Sequence, residues 1–245
     1  MSRRRLVRVA GVASGAGAVC LRHADPPRNR RRPPTDAAIY LIDPVDPSST
    51  FPEAVALKRQ CVIHGRPFLS TLYGAREWFE LQAVAAGGAP NAALDTLFAF
   101  EDQAIALVAH DARKDDMVAL IDEHFDFFDR FGRRVATGTT GGRLNELAQR
   151  RRPEHTQVWV HSVKSGPLGG DAQIAELLLD GRCQRVLFLE DPHVARQHEA
   201  DIQLLERAAR VATAQVACYG DLATARNWID GVQRRRRVQE PDSAV

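Results

Sequence analysis

The feature that most constrains this chain is a regular exchange of short apolar runs and amphipathic stretches beginning near residue 101. Ala104–Ala109 (AIALVA) is apolar without interruption, the pattern of a strand buried on both faces. KDDMVALIDEHFDFFDRF follows, with Met117, Leu120, Ile121, Phe125, Phe128 and Phe131 at helical spacing. Arg134–Ala136, Gln157–Ser162, Arg185–Glu190 and Gln215–Tyr219 read as further strands. Helices are expected after Gly142, over Asp171–Asp180, over ADIQLLERAARVA and from about Leu222 to Ile229. This alternation predicts an α/β fold, a doubly wound three-layer sandwich with a mainly parallel sheet. In such folds ligands sit at the carboxyl ends of strands.

Composition narrows the class. The 245 residues are 44% hydrophobic and 26% charged, a globular balance, and no apolar run reaches a membrane-spanning length. Cys20, Cys61, Cys183 and Cys218 are widely spaced and form no CxxC pair, so free thiols in a reducing, cytoplasmic setting are expected. A membrane protein, a disulfide scaffold and a zinc ribbon are excluded. Residues 1–34 carry nine arginines and one aspartate, so a net charge of +2 conceals a basic segment on an acidic body. That segment has no apolar period, and residues 1–35 are expected to form a basic Pro/Arg-rich arm without regular structure. Clustered arginines also suit phosphate backbones, but lysine is nearly absent, so the Arg bias says little about partners and nucleic-acid binding is not expected.

Polar residues collect where the predicted strands end. His110-Asp111 follows the first strand, with Lys114 opening the next helix, and Thr137-Gly138-Thr139-Thr140-Gly141 follows the second. Ser165-Gly166-Pro167-Leu168-Gly169-Gly170-Asp171 precedes the third helix, and Asp191-Pro192 follows RVLFLE, with His198 and Asp201 beyond. Hydroxyls and glycine-exposed amides at a helix start suit a phosphate dianion, although no Gly-Lys-Ser/Thr follows as in a nucleotide-hydrolysing loop. Lys114 supplies a point charge on the same side. Asp171 is either a carboxylate placed for proton abstraction or a helix N-cap, and Thr137–Gly141 is either a phosphate cradle or an ordinary strand-to-helix turn. His110 and His198 suit an oxygen that becomes anionic. His193 and His198 miss the spacing of a helical zinc pair, and no metal is expected.

Taken in order, VAHDARK (108–114), ATGTTG (136–141), SGPLGGDAQI (165–174) and DPHVARQHEAD (191–201) resemble the signature blocks of methylglyoxal synthase. The similarity covers about residues 101–230. It implies a metal-independent, cofactor-free cytoplasmic lyase, typically hexameric, that converts dihydroxyacetone phosphate into methylglyoxal and inorganic phosphate, with phosphate also a possible inhibitor. The resemblance makes Asp171 the base that removes a proton from the substrate's hydroxymethyl carbon, next to the ketone. It gives His198 the enediolate oxygens, with His110 also touching substrate. Lys114, Thr137, Gly138, Thr139, Thr140, Ser165 and Gly166 would hold the phosphate, and Asp111, Asp191 and Asp201 would support the site electrostatically. The alternative is a non-catalytic module of the same fold that binds phosphate or a phosphorylated metabolite.

An internal comparison adds a second unit. IYLIDPVDPSSTFPEAVALKRQCVIHGRPFLSTLYGAREWFE (39–80) parallels residues 186–230: strand, Asp-Pro, acidic-started helix, strand, then Ala-Arg-x-Trp. Residues 36–82 therefore read as a degenerate half-copy in which Thr50 stands for His198 and Glu53 for Asp201. Residues 83–100 read as a linker, and residues 231–245 as a basic and polar tail.

Overall fold

The computed structural model describes residues 7–10, 18–23, 37–41, 52–154, 156–191, 199–212 and 215–240. Its main sheet has five parallel strands: β5 (Ala104–Ala109), β6 (Arg133–Ala136), β7 (His161–Ser162), β8 (Arg185–Leu189) and β9 (Ala217–Tyr219). Their order is β7-β6-β5-β8-β9. The chain thus builds outward from β5 in one direction and then returns to its other side, placing a topological switch point between β5 and β8.

Every residue of β5 is buried, as its unbroken apolar run requires. Ile105, Leu107 and Ala109 join one hydrophobic core with residues of α3 (Lys114–Glu123), α4 (Phe125–Asp129), α5 (Gly138–Arg151) and α8 (Leu222–Gln239). Ala104, Ala106 and Val108 join a second core with α6 (Gly170–Leu179) and α7 (Glu199–Val211). Side chains that alternate along one strand thereby feed two separate cores, which makes the three layers of the sandwich.

Ahead of this unit lie β3 (Ala37–Tyr40), α1 (Pro52–Ile63), β4 (Phe68–Leu69) and α2 (Leu72–Ala85). β3 and β4 pair in parallel, as β8 and β9 do, and each segment runs strand, helix, strand, helix. Thr71 and Asp221 cap the closing helices in the same way, their side chains accepting from Gly74 N and Thr224 N. β4 lies beside β9, and α2 packs along α8 so closely that a Cβ on Gly231 would stand 3.0 Å from Leu81 Cδ1. Thr50 and the side chain of Glu53 fall outside the described residues.

The contact between the two units is charged and dry. Arg185 is wholly buried. Its Nη1 donates to Glu77 Oε2 (2.9 Å) and Tyr219 Oη (2.6 Å), and its Nε donates to Gln103 Oε1 (2.8 Å). Burial opposes the charge, but Glu77, Tyr219 and Tyr73 outweigh it and hold this guanidinium above its ordinary pKa. Trp228 Nε1 also donates to Glu77 Oε1 at 3.1 Å.

Several expectations need correction. The basic segment contains two strands, β1 (Val7–Ala10) and β2 (Ala18–His23), in an antiparallel ladder that continues to β3. Residues 83–100 are not a free linker: 3₁₀ turns at Ala92–Leu97 and Phe100–Asp102 bury Leu97, Phe98 and Phe100. α8 continues to Gln239, so the Arg234–Arg237 run is helical rather than a tail. Within it Arg235 is buried, donating to Glu80 Oε1 (2.9 Å) and Asp95 Oδ1 (2.6 Å) and stacking over Phe98. The helix expected after Lys114 breaks at His124 into α3 and α4. The strand expected from Gln157 pairs only at His161–Ser162.

Candidate active site

The site is assembled from the carboxyl ends of adjacent strands. β5 runs in register with β8 through Ala109↔Leu189, so His110 and Glu190–Asp191 emerge side by side at the switch point. The pairing is tied across the gap: His110 N donates to Leu189 O (3.1 Å), and Asp191 N donates to His110 Nδ1 (2.9 Å). A backbone N–H can only donate, so Nδ1 is the unprotonated nitrogen and the neutral ring carries its proton on Nε2. Phe188 meets the imidazole edge-on, with ring centroids 5.1 Å apart.

His110 leads into a 3₁₀ turn, Asp111–Arg113, and then into α3, whose first residue is Lys114. The Lys114 ammonium pairs with the carboxylate of Asp111, which is itself open to solvent.

One strand over, β6 ends at Ala136 and Thr137 is the N-cap of α5, with no side-chain capping bond. The first amides of α5 have no partner within the helix, and its dipole adds positive potential at the same place. Thr137 and Thr140 are buried, and Thr140 Oγ1 has no hydrogen-bond partner among the described residues. A buried, unsatisfied hydroxyl is costly unless a ligand completes it.

The Ser165 loop packs directly on this helix start. Gly138 N donates to Lys164 O at 3.1 Å, and Lys164 N donates to Gln173 Oε1 at 2.9 Å. Gly169 adopts φ +90° to turn the chain into α6. A Cβ on Gly170 would lie 1.9 Å from Lys164 O, so no larger residue fits the same path. Asp171 therefore stands inside the first turn of α6, which Gly169 rather than Asp171 caps, and the N-cap alternative does not hold. Its Oδ2 lies 2.9 Å from the position a Cβ on Gly166 would take, which brings the carboxylate against the Ser165-Gly166 loop.

The structure thus joins two pairs of sequence blocks, His110 with Asp191 and Thr137–Thr140 with Ser165–Gly166 and Asp171, along one edge of neighbouring strands. His198 lies outside the described residues, as does the side chain of Asp201, whose backbone belongs to α7. Sequence reasoning missed Gln173, two positions beyond Asp171 in the same block, and Glu190, whose partner Lys58 comes from the N-terminal unit.

No protein-family model matches the chain. Among curated proteins, methylglyoxal synthase of Moorella thermoacetica is 46% identical over 121 residues, covering 49% of this chain and 86% of that protein. Methylglyoxal synthase of Burkholderia mallei is 47% identical over 131 residues, covering 54% of this chain and 92% of that protein. A crystal structure of methylglyoxal synthase from Elizabethkingia anophelis aligns at 33% identity over 53% of this chain and 78% of its own, with a TM-score of 0.42. Near half the residues are shared across most of the length of the two curated relatives, and the chain belongs to the methylglyoxal synthase family.

Proposed function

We propose that the chain is a methylglyoxal synthase, a lyase that converts dihydroxyacetone phosphate into methylglyoxal and inorganic phosphate. The observation that carries the reading is the meeting of the α5 start, the Ser165-Gly166 loop and the Asp171 carboxylate, held together by Gly138 N to Lys164 O.

The reaction follows from these parts. The substrate phosphate sits on the α5 amides, where Thr137, Thr139, Thr140, Ser165 and Gly166 donate to it and Lys114 adds charge. Asp171 removes a proton from the hydroxymethyl carbon next to the ketone. That carbon is too weakly acidic for a carboxylate unless fixed donors stabilise the enediolate. His110, protonated on Nε2, is such a donor, and the family resemblance assigns His198 the same work. The electrons then expel phosphate as the C–O bond breaks, leaving the enol of methylglyoxal, which gains a proton at its methylene carbon and loses its hydroxyl proton to give the product. Expulsion in place of reprotonation requires the C–O bond out of the enediolate plane, and a cradle that fixes the phosphate sets that angle. Asp111, Asp191 and Asp201 shape the field around these groups.

Residues 101–230 form the catalytic unit in this reading and residues 36–82 a degenerate half-copy without catalytic groups. No helix among the described residues is long and apolar enough to cross a membrane, and a cytoplasmic homo-oligomer inhibited by its phosphate product fits the family. Purified protein incubated with dihydroxyacetone phosphate should release methylglyoxal and phosphate in equal amounts. Saturable phosphate binding without turnover would instead mark a binding module.

A further inference from the structure

Among the described residues, the N-terminal unit reaches the catalytic edge through Lys58. Lys58, on α1, is one of three lysines in the chain, and its ammonium lies 2.5 Å from Glu190 Oε1 and also pairs with Glu206 on α7. The side chains of Lys58, Glu190 and Glu206 are only 16%, 17% and 15% exposed, so this is a mostly dry cluster rather than a surface pair. Arg210 Nη2 donates to Glu206 Oε2 at 3.1 Å and also feels the Glu190 charge, while among the described residues Lys58 is the cation in ion-pair contact with Glu190.

Glu190 occupies a critical place. Its own amide is held by Gly220 O (3.3 Å), the preceding Leu189 O accepts from His110 N (3.1 Å), and the following amide, Asp191 N, donates to His110 Nδ1 (2.9 Å). These backbone bonds lie within the catalytic unit, whereas the Glu190 side chain finds its cation on α1.

We propose that Lys58 is a positioning residue of the active site: by anchoring Glu190 it holds the turn whose next amide keeps His110 protonated on Nε2 and aimed at substrate oxygen. The inference rests on the catalytic reading above for its kinetic consequences, but its structural core can be read without turnover. An added N-terminal unit thereby becomes part of how the site is held.

The test uses the full chain. Lys58→Met should lower kcat by about tenfold, the scale of a small misplacement of a reacting group, while leaving KM near the parent value. Lys58→Arg should restore most of it, and Glu190→Gln should reproduce the loss from the catalytic side. Glu206→Gln removes a charge from the same cluster away from the strand end and should leave kcat unchanged. Nitrogen NMR of the His110 ring should show its Nδ1 resonance altered in Lys58→Met and Glu190→Gln but not in Glu206→Gln. An unchanged kcat and His110 spectrum in Lys58→Met would overturn the proposal, as would an equal loss in Glu206→Gln, which would make Lys58 a docking contact alone. If the parent protein makes no methylglyoxal, the catalytic reading fails, and the His110 spectra still decide the role of Lys58.

Discussion

Glu77 and Arg185, 108 positions apart, form an ion pair with both side chains at or below 1% exposure. The carboxylate belongs to α2 and the guanidinium to β8, so each unit contributes a charge that the other neutralises. Tyr219 Oη completes the cluster by donating to Glu77, and the Arg185 guanidinium also donates to Leu97 O.

Removing one partner should expose the strength of that link. Glu77→Ala leaves a guanidinium buried without its counter-ion, a change that costs about 3–5 kcal/mol. Urea denaturation should show the midpoint fall by a corresponding amount. The double change Glu77→Leu with Arg185→Met should recover most of the loss, because well-packed apolar replacements often match a buried pair.

Asp171→Asn should keep the fold, since the carboxylate caps no helix, and should lower kcat by about a thousandfold, the range of a general base. Circular dichroism would establish that the variant is folded. Full methylglyoxal production by such a variant would remove Asp171 from the role of base.

Thr140→Val tests the phosphate cradle. The hydroxyl is buried and unsatisfied among the described residues, so its loss should not destabilise the free protein. Loss of a hydrogen bond to a charged phosphate should lower kcat/KM by roughly thirtyfold, or about 2 kcal/mol. A lowered melting temperature with unchanged kinetics would show that the hydroxyl serves packing instead.

Alkaline pH should unfold the chain through its thiols. Burial pushes both Cys183 and Cys218 up to about 11 from an ordinary 9.0. The folded state then holds protons that the unfolded state releases, so their contribution is complete below pH 9 and is lost as pH rises toward 11. Stability measured across that interval should fall by about 2–3 kcal/mol per thiol. At pH 8, both should resist alkylation in the native protein.

Legibility in the sequence followed the range of the interactions. β5 was readable because six consecutive apolar residues leave a doubly covered strand as the natural reading. The loops before α5 and α6 were readable because their glycines mark turns that a larger residue could not make: Gly169 sits at φ +90° and a Cβ on Gly170 would meet Lys164 O. β7 was overestimated because side chains claim the segment before it: Trp159 stacks on Phe125 and donates to Asp129 Oδ1. Asn145 meanwhile bonds both backbone groups of Val160, to N (2.9 Å) and from Nδ2 to O (3.0 Å). The arginine run of α8 read as solvated because the partners of Arg235, Glu80 and Asp95, lie 155 and 140 positions away. Strands β1 and β2 were hidden by charge, although Val7 and Val9, and Val19 and Leu21, alternate as strands do. Lys58 and Glu190 showed no pattern at all, since nothing local records their meeting.

The borders of the five-stranded sheet carry a consequence for solubility. On one side the ladder ends in β7, two residues long with both side chains exposed, too short to template another strand. On the other, β9 is flanked by β4 and covered by α2, which in turn packs on α8. Among the described residues neither border offers a long open row of amides and carbonyls, so growth by adding strands to this sheet is suppressed. Any assembly this chain makes with its own kind through the catalytic unit must be built from side-chain surfaces.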